Sequence, residues 1–146
     1  MSGTEIVTAD LERFVIAQRS AYDGALAELR RGHKTGHWIW YVFPQLVGLG
    51  RSGMSQHYGI ASLDEARDYL AHPILGPRLA ECAAALLDLP ASTTAIGMFG
   101  SLDAMKVRSS MTLFHRAAPD EPTFRAVLVR YFGGEPDPAT DDRLQS

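Results

Sequence analysis

Between Leu11 and Leu29 the positions 11, 14, 15, 18, 22, 25, 26 and 29 recur at the helical period, and all but Gln18 are apolar. That pattern commits the segment to an amphipathic α-helix with one face in a core. No other stretch alternates apolar and polar residues at period two, so a strand would have nothing to pair with. The expected fold is therefore all-α. Asp10 stands where an N-cap would, Gly32 where a left-handed stop would, and Arg30 and Arg31 occupy the last turn, where the dipole favours cations.

The same punctuation recurs along the chain. Ser62-Leu63-Asp64-Glu65 is a capping box, in which the Ser62 hydroxyl accepts from the Glu65 amide and the Glu65 carboxylate reaches back to the Ser62 amide. It opens a helix to about Ala71 with Leu63, Ala66, Tyr69 and Leu70 inward, ended by Pro73. Pro77 suits the first turn of a helix from about Leu75 to Leu89, which Pro90 stops. Ser92 or Thr93 caps a short turn from Ile96 to Phe99, and Gly100 breaks it. Ser101 then caps a long helix to about Ala117, with Asp103 in its first turn and His115 and Arg116 in its last. A final helix starts at Asp120 and Pro122, with Phe124, Val127, Leu128 and Tyr131 at i, i+3, i+4 and i+7, and closes at Gly133-Gly134. Residues 1–9 and 135–146 are expected to be flexible or to lie over the surface.

At 146 residues the chain suits one domain with one core, without metal or disulfide support, and its lone Cys82 can form no internal disulfide. Fourteen Lys and Arg against seventeen Asp and Glu leave no global positive field, so non-specific nucleic-acid binding is not expected. No apolar stretch is long enough to span a membrane, and Met1 to Asp10 do not read as a signal peptide. The default location is a reducing cytoplasm.

The candidate site centres on His37-Trp38-Ile39-Trp40-Tyr41-Val42-Phe43-Pro44-Gln45, which holds both tryptophans and is followed by Gly48-Leu49-Gly50-Arg51-Ser52. An aromatic wall beside a polar, glycine-rich rim is how small-ligand pockets are built. The block is apolar on every side and reads as a buried strand or a short buried helix, of which the helix is preferred. Its rings cannot all face one way, so at least half of them are core anchors. Trp38 and Tyr41 share a helical face and are the candidates for ligand contact, and Gln45 can donate and accept toward a planar amide or base, or else satisfy loop backbone groups. Arg51, Ser52 and the amides around them can cradle a phosphate or carboxylate, although the segment is neither a Walker loop nor a dinucleotide fingerprint, and a plain connecting loop is the commoner reading.

On the later helix, Lys106 and Ser110 lie one turn apart, with Asp103 one turn before Lys106. A serine and lysine pair for catalysis is opposed by the reversed spacing, so an anion clamp or an ion pair of Asp103 with Lys106 is favoured. The small residues Ser109, Ser110 and Thr112 would also let another helix approach closely. Among the histidines, His37 and His57 flank the candidate pocket and are the two to test as acid or base. Glu65, beyond its cap, is the carboxylate available as a general base. No histidine or cysteine spacing suits a structural zinc, and no cofactor is called for.

Read as a whole, the chain from Gly36-His37-Trp38-Ile39-Trp40-Tyr41-Val42-Phe43-Pro44-Gln45 through Gly48-Leu49-Gly50-Arg51-Ser52 resembles the DUF1810 family of uncharacterised, mainly helical proteins. The likeness continues through Tyr58-Gly59-Ile60, Leu63-Asp64-Glu65-Ala66, His72-Pro73-Ile74-Leu75-Gly76, Asp103, Lys106, Ser109-Ser110-Met111-Thr112-Leu113-Phe114 and Tyr131-Phe132-Gly133-Gly134. It implies a helical fold and supplies no activity. A fainter likeness is to the NADAR or YbiA-like N-glycosidases, whose catalytic carboxylate finds only Glu65 as a counterpart.

The expectation is thus a single all-α domain of about six helices around a central aromatic segment. Its cleft would bind a small anionic molecule, a nucleotide or phosphoribosyl compound, stacked on Trp38 or Tyr41 and held by Arg51, Lys106 and nearby hydroxyls, with Glu65 or His57 positioning water if an N-glycosidic bond is hydrolysed. The alternative is a non-catalytic module that offers an exposed aromatic patch to a protein partner.

Overall fold

The computed structural model describes residues 3–145, with side chains from Leu11 onward. Among them the fold is all-α: α1 Gly3–Arg31, α2 Ile39–Val42, α3 Gly53–His57, α4 Leu63–Ala71, α5 Leu75–Leu87, α6 Ala95–Ala117, α7 Pro122–Phe132 and α8 Pro138–Gln145. The β-type pairing among these residues is an isolated parallel bridge of Leu46 with Ile60, which closes the glycine-rich loop between α2 and α4. α1 is already helical from Gly3, so Asp10 lies within it and does not cap it. The expectation of a loose segment at residues 1–9 falls partly outside the described residues.

The apolar faces read from the sequence meet in one core. α6 packs on α4, α7 and α8, and α5 packs on α1, α4 and α7. A column of rings ties four helices together: Phe14 to Tyr69 at 5.2 Å between centroids, Tyr69 to Phe114 at 5.3 Å, and Phe114 to Phe124 at 5.9 Å. Such pairs add about 0.5–1.5 kcal/mol each to the burial of their area. Gln18, the polar exception on the α1 stripe, is 1% exposed, and its amide explains why it belongs there. It donates to the Tyr41 carbonyl at 2.6 Å and the Tyr69 hydroxyl at 3.1 Å, and accepts from Arg78 at 3.4 Å. A buried amide satisfied on both sides joins three segments without an orphaned group.

Helix ends follow local chemistry with small shifts. Ser62 accepts from the Glu65 amide at 3.1 Å, but the Glu65 carboxylate reaches the Ala61 amide at 2.8 Å and not that of Ser62. The residue capping the first part of α6 is Thr94, and Glu121 caps α7. Gly100 interrupts α6 at φ 79° and ψ 166°. That region is open essentially to glycine alone, so the break expected there is a kink inside one helix path. The end expected from residue 135 to be flexible or to lie over the surface forms a largely exposed helix, α8, after a turn through Gly133 and Gly134. Three ties hold that helix down. Arg116 pairs with Asp141 through two 2.9 Å bonds, Arg143 donates to the Val47 carbonyl at 3.0 Å, and Asp137 is buried against α6.

Candidate functional site

The aromatic block forms a single turn, α2, and that turn separates its rings. Trp38 precedes the helix at φ −122° and ψ 4°, so the i, i+3 geometry that would pair it with Tyr41 does not apply. Trp38 is 3% exposed, and its indole N–H donates to the Glu28 carboxylate at 3.0 Å. The same carboxylate oxygen accepts from the Thr35 amide at 2.7 Å and the Gly36 amide at 2.9 Å. Burial pushes the Glu28 carboxyl up, but these donated bonds outweigh it and hold the group down at about 2. Trp38 is therefore a core anchor and not a stacking surface, which corrects the expectation. Tyr41 is half-buried against Tyr58 at 5.2 Å.

Trp40 has the opposite surroundings. It is partly exposed, the Lys106 ammonium lies 5.0 Å from its ring centroid, and its buried indole Nε1 has no hydrogen-bond partner. A chain of charges connects the two tryptophans. The Lys34 ammonium sits 5.1 Å over Trp38 and 2.7 Å from Asp103 Oδ2, while Asp103 Oδ1 meets Lys106 at 3.4 Å. Lys34 is 8% exposed and takes the short contact; Lys106 is 26% exposed and keeps the long one. Asp103 thus balances Lys34 first and leaves Lys106 with charge to spare.

Lys106 opens into a cleft of about 220 Å³ between α6, the glycine-rich loop and the start of α8. Gln45, Leu49 and Gly50 form one side, Leu102, Met105 and Ser109 of α6 a second, and Asp137 and Ala139 the third. Of the residues expected at a ligand, Gln45 and Lys106 line this cleft together.

The others lie elsewhere. His37, Arg51 and Ser52 are exposed, and none of them lines the cleft. Ser52 serves as the N-cap of α3, accepting from the Ser55 amide at 3.1 Å. The Arg51 carbonyl accepts from Gln56 at 3.2 Å. Ser110 is fully buried with an unpartnered hydroxyl. The two groups expected to act on water also lie away from the cleft. Glu65 is 7% exposed, holds the Ala61 amide, and lies 3.4 Å from Arg13. His57 is exposed with its ring edge-on to Tyr58 at 4.6 Å, and its carbonyl accepts from Arg13 at 2.8 Å. Neither lines the cleft with Lys106.

Asp137 was not anticipated. Its Oδ2 accepts from Ser109 Oγ at 2.8 Å, Thr140 Oγ1 at 2.6 Å and the Thr140 amide at 3.2 Å, and its own amide donates to Thr112 Oγ1 at 2.8 Å. Two of the small polar residues on α6 therefore anchor α8, which is the close helix approach that their size suggested. The signal was present in Asp137-Pro138-Ala139-Thr140, an N-cap followed by proline at the first helical position. Among the described residues no three His, Cys, Asp or Glu come together as a metal ligand set, and no helix is long and apolar enough to cross a membrane.

The crystal structure of the conserved hypothetical protein Rv1873 from Mycobacterium tuberculosis is similar at 47% identity and a TM-score of 0.91, over 94% of this chain and 97% of that one. Curated proteins provide no match. These findings lend no support to the fainter N-glycosidase likeness. The family model for proteins of unknown function, DUF1810, matches residues 8–144, and the chain belongs to that family.

Proposed function

We propose that this chain is a cytoplasmic protein that binds a small anion in the cleft beside Lys106. The observation carrying the reading is that Lys106 lines a concave site while its carboxylate neighbour Asp103 is committed more closely to Lys34. Such a cation, its side chain only 26% exposed, attracts an anion more strongly than the same group in open solvent. At about 220 Å³ the cleft is smaller than the roughly 300–1,000 Å³ of sites that enclose drug-sized ligands. The reading therefore narrows from a whole nucleotide to a compact phosphate or carboxylate, with Gln45 contacting its polar part. It is a reading of binding and not of glycosidic hydrolysis, because neither Glu65 nor His57 lines the cleft.

The test is ligand-induced thermal stabilisation with inorganic phosphate, ribose 5-phosphate and adenosine monophosphate. The two smaller anions raise Tm, by about 2.7 kcal/mol of added stability at a hundredfold excess over Kd. Lys106→Met removes the shift. Failure of every small anion to move the wild-type Tm at saturating concentration would defeat the proposal.

One observation favours a second reading, contact with a protein partner. Ile96, Leu102 and Met105 on α6 are 67%, 73% and 55% exposed. The patch is aliphatic, since the aromatic rings lie within or against the core, and it replaces the aromatic patch first expected. Under this reading Leu102→Asp abolishes association seen by light scattering, and an unchanged mass distribution counts against it.

A further inference from the structure

We infer that the ligand of the cleft is zwitterionic, carrying an ammonium group for Asp137 as well as an anionic group for Lys106. The inference rests on the anion-binding reading above and specifies its substrate class. Its basis is that Lys106 and Asp137 line the same small cleft yet form no ion pair with each other. Lys106 has only its long 3.4 Å contact with Asp103, and Asp137 has only neutral donors, so a ligand bearing both signs offers each a closer opposite charge.

Asp137 is not used up by its structural role. All the protein hydrogen bonds it accepts fall on Oδ2, which completes the cap of α8 and the tie to Ser109. Oδ1 accepts none and is not among the sealed, unpartnered atoms, and Asp137, 8% exposed overall, lines the cleft. A carboxylate so nearly enclosed has lost most of its hydration, and a donated bond from an ammonium restores it. A metal ion suits the place poorly, because a hard cation calls for six or more oxygen ligands and no second free carboxylate faces the cleft. The aliphatic walls of Leu49, Leu102 and Met105 fit the short carbon chain between the two charged ends of such a ligand.

Pairs of compounds that differ only in the amine test this: 4-aminobutyrate against pentanoate, and phosphoethanolamine against propyl phosphate, each titrated calorimetrically into the full chain. The amine-bearing member of each pair binds about tenfold tighter, the effect of one charge-assisted hydrogen bond. Asp137→Asn removes that preference without weakening the amine-free anions, while Lys106→Met weakens both members. Equal affinity of the wild-type protein within each pair overturns the zwitterion assignment and leaves the anion reading standing; so does a preference that survives Asp137→Asn. Absence of binding by all four compounds overturns the underlying reading and the assignment with it. The wild-type comparison needs no variant, so the assignment is decided even if Asp137→Asn uncaps α8 and fails to fold.

Discussion

Trp38 and Trp40 are separated by one residue and occupy different chemical worlds. Trp38 is sealed, its N–H bonded to Glu28 and its face covered by Lys34; Trp40 is partly exposed, its N–H unpartnered and its face under Lys106. One ring has every polar demand met from within and acts as structure. The other lies beside a cation that a neighbouring carboxylate balances only loosely. The difference teaches that aromatic density in a sequence marks a place, whereas the saturation of polar partners tells structure from site.

The sharpest way to break this comparison is truncation of each ring. Trp38→Ala should cost about 3–5 kcal/mol, the usual penalty for a large buried aromatic, and urea unfolding would show it as a lowered midpoint at unchanged slope. A cost below about 1 kcal/mol would mean that the ring is no anchor. Next in size is Gly100→Ala, which perturbs the turn from which α6 carries Asp103 to both lysines. A Cβ there meets nothing within 4 Å, so the expected loss of about 1–3 kcal/mol is purely conformational. It should not be relieved by trimming neighbours.

Trp40→Ala should cost only about 1 kcal/mol of stability, including the 0.5–1 kcal/mol of its contact with Lys106. Its larger effect falls on anion affinity, because the ammonium loses the ring that holds it at the cleft. Stability lost without any change in phosphate binding would place Trp40 with Trp38 as scaffold. A further test concerns pH. The Glu28 carboxyl is held below its unfolded value of 4.5, at about 2, so its contribution to stability is present above 4.5 and fades as pH falls toward 2. The Tm difference between wild type and Glu28→Gln should be constant from pH 7 to 5 and close below that. A difference that instead widens on acidification contradicts the bonding assigned to Glu28.

Much of the fold was legible because helix signals are local. The stripe from Leu11 to Leu29, the Ser62 cap, Pro77 in a first turn, and Gly133 as a left-handed stop at φ 65° all depend on residues a few positions apart. Lys106 and Gln45 were legible as candidates because a cation and an amide beside an aromatic block suggest a ligand. The choice of Trp38 over Trp40 failed because it extended α2 backward through a residue that is not helical. α8 was missed because its amphipathic signal is weak, and its position depends on Arg116, Val47 and Ser109, which are distant in sequence.

The sequence by itself determined an all-α chain and the sites of most helix boundaries, since period, caps and glycine conformations act over one or two turns. Only the tertiary structure decided which tryptophan is enclosed, that Asp103 is shared unequally between Lys34 and Lys106, and that the chain's last helix brings Asp137 to the cleft. Those outcomes depend on which surfaces exclude water from one another, and that is settled by residues a hundred positions apart only when they pack.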